Sequence, residues 1–536
     1  PVLLLGVWSG FKVALFLSFV AAAWGMWQLG AVLGLRRPAR LWMGLMYAFT
    51  GQGVARFFQG EYDFVLGLAW IPWVLAFALL AVRTRQRRHA VAASVALALL
   101  FFSGNVYYTF YMILVLPLLA LVSALEVDWR ARQVRWRSGA LALIAIVVLL
   151  ALALSAIQWR PLLDYWKSYT KMPDRQLIGS HSLPQIWLDY VSTDHRRPDA
   201  YRTLPSEEFY AYTGVWPFLL LIFLPLAYRR GKRREQVFLA LLLGIAVAYI
   251  ATKYMPWAQL YQTSPLLNQF RYQTRMLIYG AVALIGLAGC GLDAIWPGHI
   301  TRTRLEPVSV PALARWAAVR VGAALLIAFM LWSVADVYHA NRRHAQARER
   351  YQPHYELIAW LRQSDPSVYY VSTGQSGWHG ALVSNGMRYL DAWYGLEPVL
   401  PTQGATNLRP VRARPKYMVL GNDQTPDQPH ELVRRFAQHS VWRLPRSLPY
   451  AFVVANTVLM EPARGAELTA AEVRPLEPAS VTPNRIAVQA EGVEGETLVV
   501  LTSAYHGWRA TVDGRPAALR NVGGYLAVSL QGGMHR

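Results

Sequence analysis

The chain has 536 residues, 54% hydrophobic and only 16% charged, with 21 Trp and a formal net charge of +22. A soluble protein of this size carries about 25% charged residues, so the long uncharged runs exclude an ordinary soluble domain and point to a polytopic membrane protein. The positive charge does not indicate nucleic acid, because the arginines come in short clusters between apolar runs rather than on a basic stripe with interleaved aromatics.

Taken in chain order, the sequence opens Pro1-Val2-Leu3 inside an apolar segment with no basic leader, which predicts a fragment rather than a signal peptide. With about 20 apolar residues as the yardstick, ten spanning helices are expected near 3–34, 40–56, 64–82, 89–104, 106–125, 138–158, 213–228, 236–252, 275–295 and 317–337. The basic clusters at 36–40, 83–88, 130–137 and 229–234, with Arg302, Arg304 and Arg315, all fall on one side of that alternation. Short basic loops stay in the cytoplasm. The other side then holds a short loop with Glu61 and Asp63, a long loop near 159–212 with seven basic and seven acidic residues, and a loop near 253–274. Aromatic residues such as Trp70, Trp73, Tyr107, Trp159 and Trp257 crowd that outer boundary as an interfacial belt or as sugar-stacking rings.

The single cysteine, Cys290, sits between Gly289 and Gly291 in an apolar run and reads as a small packing residue. Beyond about residue 338 the composition turns polar. Alternating runs at 368–372, 450–456, 485–490, 497–503, 508–514 and 525–530 predict strands, with a turn at Val512-Asp513-Gly514 and a helix near 351–364. The expected organisation is a transmembrane domain over 1–337 and an extracytoplasmic, mainly-β domain over 338–536. The latter divides into a mixed α/β part (338–450) and a β-sandwich-like part (451–536).

The spans are almost free of ionisable residues, since Lys12, Arg320, Asp293 and Asp336 fall at or near predicted helix ends. Neither midplane charges nor discontinuous helices are expected, which disfavours a coupled transporter. Chemistry must therefore converge at the outer surface. Glu61 and Asp63, with the acids of the long loop, are the acidic candidates; Glu61 and Asp63 read as a general base or a metal contact, weighed against a solvated turn. Arg271 and Arg275 are four residues apart and would share one face of a helix. Their guanidinium forks suit a lipid phosphate. Tyr505, Trp508 and Tyr525 stack on sugar rings or pack a core. No histidine pair or cysteine spacing predicts a metal site.

The segment "LVVLTSAYHGWRATVDGRPAALRNVGGYLAVSLQGGMH" resembles the end domain of YfhO-like bacterial membrane proteins, which belong to the GT-C class of membrane glycosyltransferases. His506 stands where a proline is usual before Gly507-Trp508. "LLNQFRYQTRMLIYG" is similar to the family's Phe-Arg-x-x-x-Arg approach to a late helix, with Gln273-Thr274 where a proline is common. "YAFTGQG" followed by "LAWIPWVLA" is similar to an early helix pair. The resemblance implies a GT-C-like fold in the bacterial cytoplasmic membrane. It also implies transfer of a sugar from a polyprenyl-phosphate carrier to a cell-envelope glycan or polymer on the far side, with metal dependence left open. It places the main catalytic acid in a first external loop upstream of this chain and a last helix downstream, leaving Glu61 and Asp63 as secondary candidates and Arg271 and Arg275 at the phosphate. The alternatives are a non-catalytic envelope protein that binds a glycan or partner, and a carrier for lipid-linked sugar.

Overall fold

The computed structural model describes residues 2–128, 133–136, 139–166, 169–171, 177, 179–193, 208–228, 233–265, 267–270, 272–296, 312–346, 355–365, 371–373, 396–398, 411, 416–426, 430–444, 447–460, 468–482, 485–504 and 507–536. Two compact units divide the chain, Pro1–Arg160 with Pro173–Arg350 and Pro161–Met172 with Tyr351–Arg536.

The first unit is helical. Its elements are α1 (Val2–Val32), α2 (Arg37–Ala48), α3 (Gly51–Gln59), α4 (Tyr62–Leu68), α5 (Ile71–Thr84), α6 (Arg87–Phe102), α7 (Val106–Ala124), α8 (Gly139–Leu154), α9 (Ala156–Trp166, which runs on into the second unit), α10 (Leu183–Val191), α11 (Trp216–Leu221), α12 (Leu224–Tyr228), α13 (Arg233–Ile250), α14 (Ala258–Thr263), α15 (Leu277–Ile295) and α16 (Ala312–Gln346). Among the described residues five stretches are long and apolar enough to cross a membrane: Ser9–Val32, Tyr62–Thr84, Val106–Ala124, Gln273–Ile295 and Val319–Arg342. Of the ten runs expected as spans, some form shorter apolar helices, such as Gly139–Leu154 and Glu235–Ile250, and others are interrupted.

These interruptions correct the expectation of continuous helices. The run near 40–56 breaks after Ala48, where Phe49 leaves the helical region and Thr50 is extended at ψ 142° before α3 begins. Gly60, left-handed at φ 83°, then ends α3, a conformation glycine adopts without a Cβ penalty. The run near 213–228 is split into α11 and α12. A second correction concerns Asp336, expected near a helix end. Because α16 continues to Gln346, Asp336 lies inside a span, where it accepts hydrogen bonds from Tyr212 Oη and Trp216 Nε1, each at 2.9 Å.

The centre of the bundle is α15, buried continuously from Leu277 to Ala294. Its glycines admit close neighbours. A Cβ on Gly291 would lie 2.1 Å from the Leu220 carbonyl oxygen, and one on Gly289 would lie 2.3 Å from Met43 Sδ. Cys290 between them is buried, as its packing role predicts. The two ends of α15 are marked by opposite polar contacts. Asp293 Oδ1 accepts the Arg36 amide at 2.8 Å, beside the first basic cluster. Arg275 lies about 27 Å away along the axis at 1.5 Å per residue.

In the second unit, α17 (Tyr355–Ser364) places Leu357, Ile358 and Leu361 in a core with Val371, Val419 and Val441. The last three belong to a four-stranded sheet in which Val371–Thr373 runs parallel to Tyr417–Gly421. A five-stranded antiparallel sheet follows, ordered Arg474–Leu476, Ala451–Ala455, Glu496–Ser503, Tyr525–Ser529, Arg520–Val522. The expected turn forms at Asp513 (φ 51°) and Gly514 (φ 78°), joining Ala510–Val512 to Arg515–Ala517; two positive φ values match the twist of a hairpin. Two-stranded ribbons accompany the five-stranded sheet, and Val481, Ile486 and Val488 of one of them pack against its core. Helix α16 continues past residue 337, and the strand Tyr169–Lys171 pairs with Leu396–Pro398.

Gly291→Ala is expected to cost about 1–3 kcal/mol through overpacking against the Leu220 backbone. Gly244→Ala, where nothing lies within 4 Å of the new Cβ, should leave stability nearly unchanged. Thermal unfolding of the detergent-solubilised variants measures both.

Candidate functional site

At the end of the bundle opposite the Arg36 contact, four separate segments bring five charged side chains together. Glu208 is the hub. It is buried, and it accepts hydrogen bonds from Arg56 Nη1 (3.1 Å), Arg56 Nη2 (2.7 Å), Arg275 Nε (2.9 Å) and Arg275 Nη2 (2.5 Å). Two planar guanidinium forks thus grip one carboxylate, the strongest geometry available to such groups. Arg56 Nη1 also pairs with Glu61. The Phe64 ring lies against both guanidinium groups, 4.3 Å from Arg56 Cζ and 4.7 Å from Arg275 Cζ. Arg275 stacks further on Tyr107 at 4.1 Å and Tyr272 at 4.4 Å, contacts that favour a delocalised cation.

Local structure explains how these residues arrive. The Gly51 amide donates to the Tyr212 carbonyl at 2.9 Å, tying the start of α3 to the segment that carries Glu208. A Cβ at Gly51 would lie 2.5 Å from Tyr212 N, so the approach requires glycine. After the Gly60 turn, the Glu61 amide returns to the Arg56 carbonyl at 3.0 Å, which holds Glu61 next to Arg56. Asp63 opens α4 and accepts Asn105 Nδ2 at 2.9 Å, while Asn105 Oδ1 caps α7 by accepting the Tyr108 amide at 2.8 Å. The Thr274 amide donates to Gly179 at 3.0 Å, and His181 and Asp189 form a buried pair at 2.7 Å. Residues 179–191, 208–214 and 272–276 are thereby knitted over the helix ends.

Both Glu61 and Asp63 therefore lie in or beside the cluster, with Glu61 committed to Arg56. Arg275 belongs to it as well, but not as helical periodicity predicts. Gln273–Met276 is a single 3-10 turn preceded by Tyr272 at φ −113°, ψ 87°, so Arg275 is carried by that turn and not by an α-helix. Arg271 itself lies outside the described residues, as does Tyr505. Trp508 is half-buried against the core of the five-stranded sheet. Sequence reasoning missed Arg56 and did not single out Glu208. The available signal for Arg56 was its sidedness, a basic residue at the end of an apolar run away from the basic loops. Glu208 was one acid among fourteen loop charges, with nothing to separate it.

Burial alone would raise the Glu208 carboxyl, but the guanidinium groups of Arg275 and then Arg56 hold it well below the usual carboxylate range, down to about 2. Around the cluster lie side-chain atoms that are buried and have no partner among the described residues: Thr50 Oγ1, Gln52 Oε1, Arg56 Nε, Tyr108 Oη, Gln273 Oε1 and Thr274 Oγ1. Each such atom left unpaired costs about 1–3 kcal/mol. Six together would cost about 6–18 kcal/mol, as much as a whole domain's stability of about 5–15 kcal/mol. Among the described residues no group of three or more His, Cys, Asp or Glu side chains has metal-holding geometry.

No model of a known protein family matches the chain, and no curated protein matches it. Fold and site together define a membrane-associated helical protein with a β-rich C-terminal region and a buried polar centre at the ends of its helices.

Glu208→Gln leaves two buried guanidinium groups short of charge, and removing one partner of a buried pair costs about 3–5 kcal/mol. Because the folded carboxyl is depressed, its contribution is fully present above the unfolded value of about 4.3. It is lost as pH falls through the folded value of about 2. The stability gap between the wild-type protein and Glu208→Gln, followed by denaturant unfolding against pH, should be widest above that upper limit and close below it.

Proposed function

We propose that the protein is a membrane glycosyltransferase that moves a sugar from a polyprenyl-phosphate carrier to a cell-envelope acceptor outside the bacterial cytoplasmic membrane. The observation that carries this reading is the five-charge cluster at the helix ends remote from the basic loops. Ionisable groups at such a depth are expensive and mark function by default. The resemblance of 498–535 and 266–280 to YfhO-like proteins of the GT-C class supports the same reading.

Asp63 is the group best suited to act as base. Glu61 is committed to Arg56, whereas Asp63 is half-buried and oriented by Asn105. In the proposed step Asp63 takes the proton of the acceptor hydroxyl, whose oxygen bonds to the anomeric carbon of the sugar. The bond from that carbon to the phosphate oxygen breaks, and its electron pair leaves on polyprenyl phosphate. Arg275, Arg56 and Arg271 supply the positive field that favours the departing anion. Trp508, with Tyr505, is assigned the acceptor glycan as a stacking surface in the C-terminal domain.

A non-catalytic envelope protein that binds a glycan or a partner is the second reading. It is favoured by the saturation of Glu208, since a carboxylate gripped by two forks is also what a structural brace requires.

In the full chain reconstituted with a polyprenyl-phosphate hexose and envelope acceptor, Asp63→Asn should lower transfer by about 10²–10⁴-fold, the range for loss of a general base, with the melting temperature kept. Transfer at the wild-type rate would sink the catalytic role and favour the second reading. Sidedness is checked separately. A protease added outside intact cells should cleave a tag placed beyond residue 351, and a protected tag would overturn the topology.

A further inference from the structure

The six buried polar atoms around the ion cluster define a second feature that pairing within the cluster does not use. Thr50 and Gln52 approach from the start of α3 and Arg56 from its last turn, with Gln52 and Arg56 one helical turn apart on one face. Gln273 and Thr274 approach from the 3-10 turn before α15, and Gln52 Nε2 reaches the Thr274 carbonyl at 3.5 Å. These five residues and Tyr108 are each no more than 1% exposed. The Tyr108 ring packs edge-on against Phe64 with centroids 5.2 Å apart, and Phe64 lies against the guanidinium groups of Arg56 and Arg275.

The chemistry of the unused atoms restricts what they hold. Gln52 Oε1 and Gln273 Oε1 only accept, Arg56 Nε only donates, and the three hydroxyls do both. An anion would face two amide oxygens and the Glu208 carboxylate. A cation would face two guanidinium groups. A neutral hydroxyl, which donates and accepts in one group, satisfies every member of the set.

We propose that Thr50, Gln52, Arg56, Tyr108, Gln273 and Thr274 form a binding site for neutral hydroxyl groups between α3 and the turn before α15. The hydroxyls come from ordered water or from the sugar of a lipid-linked donor, and the second source alone rests on the glycosyltransferase reading. Internal water held by two to four polar partners is a normal structural component, and a sugar hydroxyl presents the same donor and acceptor.

Radiolytic hydroxyl-radical footprinting of the full chain in nanodiscs, read by mass spectrometry, tests this, because side chains beside bound water oxidise even when buried. Tyr108 should oxidise several-fold faster than Tyr47, which is equally buried but donates its hydroxyl to the Leu68 carbonyl. Thr274→Val should lower both the melting temperature and the Tyr108 labelling. Adding polyprenyl-phosphate glucose separates the sources. Protection of Tyr108 assigns sugar hydroxyls to the site, whereas unchanged labelling assigns water and keeps the site without its link to glycosyl transfer. Tyr108 labelled no faster than Tyr47 would overturn the proposal, and a raised melting temperature in Thr274→Val would show the same dry, unpaired atoms independently.

Discussion

The double-fork contact of Glu208 with Arg56 and Arg275 is the constraint on which this end of the bundle depends. Three charges are buried together, and each is tolerable only because the others are in place. The cluster requires the turn before α15, the last turn of α3 and the segment before α11 to meet within hydrogen-bonding distance. Those three segments then fix Glu61 through Arg56 and bring Phe64 under both cations.

The break between α2 and α3 has a physical counterpart in this arrangement. A continuous helix through Phe49 and Thr50 would satisfy its own backbone. The interrupted one frees the Phe49 carbonyl, which Asn341 Nδ2 of α16 engages, and the Gly51 amide, which Tyr212 engages. Asp336 on the same helix holds Tyr212 and Trp216, and Ser333 accepts Trp42 Nε1 at 2.9 Å. Helix α16, otherwise largely exposed along its span, thus meets the bundle through a stripe of polar contacts that brace the discontinuity. Irregular backbone in a membrane bundle is sustained where neighbouring helices re-satisfy its polar groups.

Much of the architecture was legible in the residues. Long uncharged runs located the helices, since burying an ion in hydrocarbon is expensive wherever it falls. The Val512-Asp513-Gly514 turn was readable because a tight hairpin needs φ > 0 at both central positions. Glycine flanking Cys290 pointed to close packing, and α15 packs through those glycines. Less legible were the helix breaks. The freed backbone groups are satisfied by Asn341, 292 residues from Phe49, and by Tyr212, which is itself held by Asp336 a further 124 residues on.

Composition and periodicity by themselves determined that this chain carries helices long and apolar enough to cross a membrane and a β-rich C-terminal region, because hydrophobic run length and alternation are local properties. They also placed Glu61, Asp63 and Arg275 near the same boundary. Only the tertiary structure decided that Arg275 joins Arg56 and Glu208, and that Glu61 is engaged while Asp63 is oriented by Asn105. Ion pairing acts over a few ångströms in space and is blind to sequence distance, so residues 56, 208 and 275 carry no mark of their meeting until the chain is folded.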